Sequence, residues 1–446
     1  MLGLALFALP VFAAAFPPSV TVEAEETVAT CLPPNNGAGP TWDFGAPMIV
    51  RHGDRVFVSA METSPTLGPL CNTRPRIFVR DRTTGWHLFW QAPDFLEREP
   101  CPIVAVGDSL FVSTNQLRTV NQTRSGPCDP GVVRLSLSGP PAPHAEVPVF
   151  VPGATFSQHS YRGVCADPAT GSFLVCHIDD STGAEDYVLS RRLPSGEWVP
   201  RGRLHFPIRA CYPQVCLEDT TAEVLAIGDI VEPVAEWRAY KFAQTKREWD
   251  YVFRRLFFAE AMDLRGQGFG TPLEIDNLDA TAGWMLNLDL WVDHDLRSHV
   301  LYVKSTCQSP QLRDKFFPGL KITRSLEYAV VHHGAVIERH TLAIGGEGLK
   351  SEEPLGTARF HVLPDGRLLV LYETTDWNVS PARRVWRLMQ VSPEITSSVE
   401  VPLKQGMSQF FTANERGGSK PSSTIDIFGI GDDGQTLRYA QLHVSP

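Results

Sequence analysis

An apolar strand pair closed by a tight polar turn recurs seven times along this chain, at 47–61, 101–114, 161–178, 212–229, 286–305, 358–374 and 423–444. The turns carry the chemistry that reverses a strand: His52-Gly53-Asp54, Gly107-Asp108, Pro364-Asp365-Gly366 and Asp432-Asp433-Gly434. Their flanks are short runs of β-branched and aromatic residues, which read as strands. Several units are followed by a second pair with a Trp near the turn, as at 77–90 and 187–204. Two hairpins make a four-stranded sheet that cannot cover both its faces alone. Radial packing against like sheets solves that problem, so repetition every 50–75 residues or so predicts a β-propeller of four-stranded antiparallel blades. Seven units predict seven blades, with six or eight also compatible.

The remaining sequence fits one such ring. Gly 35 and Pro 36 in 446 residues are spread along the whole chain, as many turns require. Residues 1–15 are apolar and end in Ala13-Ala14-Ala15, which predicts a signal peptide and a secreted or extracytoplasmic protein. Residues 16–40 read as an N-terminal extension and 41–446 as a single propeller domain. No later run has the length of a membrane span. A formal net charge of −10 disfavours nucleic acid as a partner, although a slight local excess of basic residues between 190 and 255 suits an anionic ligand. Nine cysteines lack zinc-ribbon spacing. Cys31, Cys71, Cys101 and Cys128 lie in loop-like surroundings that suit disulfides, and an odd total leaves one thiol over. Sequons stand at Asn121 and Asn378, the second compromised by Pro381. Only 249–263 reads as either helix or strand pair, and 255–284 reads as a long insertion between blades.

The chemistry-bearing residues concentrate in 156–241. There FSQHSYRGVCADPATGSFLVCHIDDS (156–181) is followed by RACYPQVC (209–216) and EWRAYK (236–241). His159 precedes the first strand of a hairpin and His177 ends the second, so an antiparallel pairing puts both imidazoles at one end of a blade. Tyr212 opens the corresponding strand of the next blade. Inner strands line the channel, so the three side chains are expected at one mouth, flanked by Arg209 and Arg238, with Trp237 and Lys241 as substrate contacts. The plain structural alternative has both histidines bonding blade backbones and Tyr212 packing as a core aromatic. Cys165, Cys176, Cys211 and Cys216 suit disulfide bracing better than a metal site with His205, and no metal or redox cofactor is expected.

The order His-Ser-Tyr, a turn with Asp and Gly, His, a Gly-x-Trp hairpin and Tyr-Pro resembles propellers with degenerate bacterial neuraminidase repeats, a family that includes ulvan-type polysaccharide lyases. The full Ser-x-Asp-x-Gly-x-x-Trp repeat is absent. The resemblance implies that His159, His177 and Tyr212 act as acid and base, and that an arginine neutralises a uronate carboxylate. Order after Tyr-Pro points to Arg238, and the long interval before it leaves Arg209 as the substitute. β-Elimination from an acidic polysaccharide needs those groups and no cofactor: a base for the C5 proton, an acid for the departing oxygen and a cation for the enolate. Two other classes stay open. A sialidase-like hydrolase would use an arginine cluster such as Arg51, Arg74 and Arg76, although Arg74-Pro75-Arg76-Ile77 lacks the expected order. A non-catalytic glycan- or protein-binding propeller would use aromatics such as Trp237, Trp284 and Trp291 as platforms.

Overall fold

The computed structural model of the protein describes residues 17–32, 39–41, 46–68, 70–118, 126–157, 161–248, 250–266 and 268–445. Seven four-stranded antiparallel sheets form a closed β-propeller. Blade 1 is Ile49–His52, Arg55–Thr63, Thr73–Asp81 and Gly85–Gln91, from the channel outward, and blades 2 to 6 repeat that order. Blade 3 holds Arg162–Asp167, Ser172–Asp179, Asp186–Arg192 and Trp198–Leu204; blade 4 holds Ala210–Glu218, Thr221–Gly228, Arg255–Ala261 and Leu273–Asn277.

Burial explains the sequence pattern. Ser172–Asp179 is buried at every residue because its sheet packs a neighbour on each face, so it reads as a near-continuous apolar run. Gly85–Gln91, at the rim, has no fully buried residue and tolerates Trp, His and Gln side by side. Inner strands of adjacent blades approach so closely that a Cβ at Gly163 would meet the Pro213 carbonyl oxygen at 2.6 Å.

Blade 7 departs from the register of the repeat. Its inner strand is Met407–Thr412, followed by Thr424–Gly431 and Thr436–Ser445, and its outer strand is Ser19–Thr30 from the other end of the chain. The segment expected as an extension therefore closes the ring, pairing Ser19 with Ser445 through to Thr30 with Thr436. For the same reason the seventh repeat, 423–444, is the middle pair of its blade rather than the inner hairpin.

Inner strands begin at one mouth, the upper, and inner hairpins turn at the other, the lower. In blade 7 that lower turn is the long connection 413–423, which crosses beneath the channel. Arg416 donates to Asp289 of blade 5, the Ser419 hydroxyl accepts the Arg51 amide of blade 1 at 3.0 Å, and a Cβ at Gly418 (φ 91°) would run into the Ala105 carbonyl of blade 2. One connection thus ties down three other blades.

Three expectations are corrected. Helix lies outside 249–263, at α1 (Ala235–Thr245) and α2 (Pro310–Phe316), while the strand alternative for 249–263 holds at 251–252 and Arg255–Ala261. The insertion in blade 4 is accordingly 229–254, carrying α1 and a two-stranded ribbon, because 255–277 supplies the blade's outer half. The nine cysteines, all among the described residues, remain thiols and eight are buried, so the expected disulfides are not formed. Cys165, Cys176, Cys211 and Cys216 instead fill the core between blades 3, 4 and 5, where burial pushes their thiols up and keeps them protonated.

Candidate functional site

His177, Tyr212 and Arg209 lie at strand ends on the upper side of the ring, His177 and Tyr212 buried, and they serve different seams. His177 sits opposite Arg162 in the inner pair of blade 3 and is fully buried. Its ring stands edge-on to Phe150 and Phe156, at 5.6 and 5.9 Å between centroids, in the seam with blade 2. Burial, then the Arg162 charge, hold its imidazole well below the usual histidine range, so it is neutral. His159 lies outside the described residues.

Tyr212 belongs to the seam between blades 3 and 4. A bulge between Cys211 and Gln214 puts it at φ 52°, and Asn287 of blade 5 donates to its carbonyl at 2.8 Å. Its ring packs edge-on to Tyr161 at 4.9 Å and against Phe253 at 6.0 Å. Arg209 enters the same seam, donating to Glu185 and Asp229 and stacking over Tyr161 at 5.4 Å. Burial opposes its charge, but Asp229 and Glu185 outweigh that and raise its pKa. Burial first, with Asp229 and Glu99 adding to it, pushes the Tyr161 and Tyr212 phenols well up, so both are proton-bearing.

The residues expected from α1 are placed elsewhere. Arg238 faces outward, lining a hollow of about 660 Å³ with Phe242 and Arg247 whose walls include none of His177, Arg209 and Tyr212. Trp237 is stacked beneath Arg254 at 5.2 Å and edge-on to Phe317 of the α2 end at 5.4 Å, so it packs two insertions together. Lys241 pairs its charge with Glu232 and Asp250, each at 2.8 Å. The reason is local: 235–245 is an amphipathic helix, not a strand, and its Trp and Lys face the protein.

Sequence reasoning missed the acidic half of the upper mouth. Glu99 precedes blade 2, and Asp229 ends the inner hairpin of blade 4, where its amide donates to the Arg209 carbonyl at 2.9 Å. Beside them Arg162 donates to the Glu99 and Pro100 carbonyls at 3.1 and 2.9 Å and lies 3.6 Å from Glu97. Burial lifts the Glu97 carboxyl above the ordinary range, with Arg162 opposing. The signal was present: Asp229 ends the second strand of its blade much as His177 does one blade earlier. Among the described residues no cluster of three or more His, Cys, Asp and Glu is placed to hold a metal ion, and His205 bonds Asp186 at 2.6 Å. Among the same residues no helix is long and apolar enough to cross a membrane.

A second concavity lies at the lower mouth. A groove of about 650 Å³ between blades 5 and 6 adjoins one of about 240 Å³ between blades 3, 4 and 5, and Trp291, His294, Glu415 and Pro421 line both.

The strand pairing defines a seven-bladed propeller of four-stranded antiparallel sheets. No family model matches the chain, and no curated protein matches it in sequence. Solved structures similar to it include an exo-β-1,3-galactanase from Clostridium thermocellum, 11% identical with a TM-score of 0.37 over 95% of this chain and 99% of that one. An α-L-arabinanase from Penicillium chrysogenum gives 10% and 0.43 over 96% and 99%. Trypanosoma rangeli sialidase gives 13% and 0.41 over 84% of this chain and 60% of that one. At these values the likeness carries no argument about chemistry, and the propeller assignment rests on the strand pairing above.

Proposed function

We propose that the protein is an exported carbohydrate-active enzyme that cleaves a glycosidic link at the upper mouth of its channel. One observation carries this reading: Tyr161, Arg209, Tyr212 and Asp229 share the seam between blades 3 and 4, where Arg209 donates to Asp229 and stacks over Tyr161, and the charge of Glu99 from blade 2 adds to the burial that holds both phenols protonated. Perturbed groups of both signs gathered at the end of a channel make a candidate reacting site. In this reading one carboxyl of the Asp229 and Glu99 pair, carrying the proton, gives it to the departing sugar oxygen, the other acts as carboxylate on the opposite side of the bond, and the phenols hold the sugar by donating hydrogen bonds.

Carboxylate-assisted hydrolysis takes first place over the two-histidine elimination. His177 is neutral behind two phenylalanine rings and faces another seam, and Arg209 already serves Glu185 and Asp229, so a uronate would have to displace one of them. Elimination keeps one specific support: Tyr212 is held at φ 52° three residues after Arg209, a strained backbone of the kind retained at working sites.

The test is a panel of neutral and acidic polysaccharides followed for new reducing ends and for the far-ultraviolet absorbance of an unsaturated uronate. Reducing ends without absorbance, lost in Tyr161→Phe or Asp229→Asn, support hydrolysis. Absorbance lost in Tyr212→Phe moves the assignment to elimination. Binding without cleavage ends the enzymatic reading. Export is tested separately by tracking the chain, with and without residues 1–15, into the medium of a secreting host.

A further inference from the structure

We infer that the lower-mouth groove is a second carbohydrate site, one that takes a neutral sugar chain on the Trp291 indole. The argument starts with how that ring is held. The Trp291 N–H donates to Glu415 at 2.6 Å, and its ring lies against the His299 imidazole, 4.9 Å between centroids. His299 is itself fixed, with Nδ1 2.6 Å from the Tyr328 hydroxyl and Nε2 3.3 Å from Asp293. The indole is therefore locked before any ligand arrives, while remaining part of the wall of both adjoining concavities. A rigid aromatic wall in an open groove suits the apolar face of a pyranose or furanose ring.

The polar groups around it select among ligands. Arg297 is paired with Asp293 at 2.8 Å and Asp295 at 2.9 Å, and Arg367 with Asp365 at 2.8 Å. Carboxylates outnumber cations along the two concavities, so an anionic chain meets net repulsion while sugar hydroxyls meet both donors and acceptors. His294, almost wholly exposed, and the Asp365-Arg367 turn line the groove with the ring. The turns of blades 5 and 6 and the 413–423 connection line the groove together. This site is at the opposite mouth from the proposed reaction and needs none of its residues.

The test uses the whole chain, titrated with short neutral gluco-, galacto-, xylo- and arabino-oligosaccharides and with oligouronates, by calorimetry and tryptophan fluorescence. At least one neutral oligosaccharide should bind, with Trp291→Ala weakening it about tenfold or more, the worth of a stacked ring. Asp365→Asn, at an exposed turn where folding is not at stake, should weaken it several-fold by the same assay. Tyr212→Phe, at the upper mouth, should leave this binding unchanged even where it abolishes cleavage. No binding by any neutral oligosaccharide, preference for the uronates, indifference to both lower-mouth variants, or loss on Tyr212→Phe alone would each overturn the assignment.

Discussion

Glu223 is a buried carboxyl whose protonation ties the stability of the whole ring to pH. It lies in the second strand of blade 4, 1% exposed, beside Ser298 and facing the negative groups Glu260, Asp293 and Glu218. Burial first, and those charges with it, push the carboxyl from the ordinary 4.5 up to about 8 against the opposing pull of Ser298. Below pH 4.5 the folded and unfolded chains both hold the proton and pH changes nothing. Between that value and about 8 the unfolded chain releases it while the folded chain keeps it, so stability falls as pH rises; above 8 the loss is complete. Every tenfold gain in proton affinity is worth ~1.4 kcal/mol, which sets the full loss at roughly 4–5 kcal/mol as an upper bound. Glu223→Gln has the same shape and no proton to release. It should match the parent near pH 4.5 and exceed it by a growing margin toward pH 8. Urea midpoints from tryptophan fluorescence, taken at intervals between those two values, read that margin directly. Parallel pH profiles for parent and variant would refute the reasoning, because they would place the carboxyl's proton affinity at its ordinary value.

Other perturbations follow from the same contacts. Burial likewise raises Glu373 to about 8 against the opposing pull of Arg384 at 3.7 Å, so Glu373→Gln should flatten the remaining slope in the same urea series. Gly418→Ala must place a methyl against the Ala105 carbonyl at φ 91°, which should cost about 2–4 kcal/mol in denaturant unfolding. Arg254→Met strips Glu232 of its 2.6 Å buried partner; Lys241 stays, so a loss of about 3 kcal/mol, at the low end for breaking buried pairs, should appear. Adding Glu232→Gln should recover much of it, a coupling that a double-mutant cycle measures.

Repetition made the ring legible, since turn chemistry and strand composition recur wherever an inner hairpin is needed. Six of the seven hairpins read from the chain are inner pairs. Blade 7 escaped because its outer strand, Ser19–Thr30, is polar on alternate positions and separated from its partner by the entire ring; nothing local marks such a pairing. The site was half legible. Strand ends put His177, Arg209 and Tyr212 on one side of the ring, yet which side of a blade a residue faces depends on alternation within it. Cys176 and Ile178 face blade 4, so His177 between them must face blade 2. The α1 residues lie away from the mouth because Ala235–Thr245 is a helix, which sends Trp237 and Lys241 inward while Arg238 points out.

The outer strand of blade 7 has a consequence for synthesis. Its partner, Thr436–Ser445, emerges some four hundred residues after it, on the order of 20–80 s later at ribosomal speed. Through that interval Ser19–Thr30 waits as a lone ribbon with unpaired amides, the kind of edge that neighbouring nascent chains can capture. Glu23, Glu25 and Glu26 crowd its middle, and the repulsion between such ribbons on different chains discourages that capture until the last hairpin arrives.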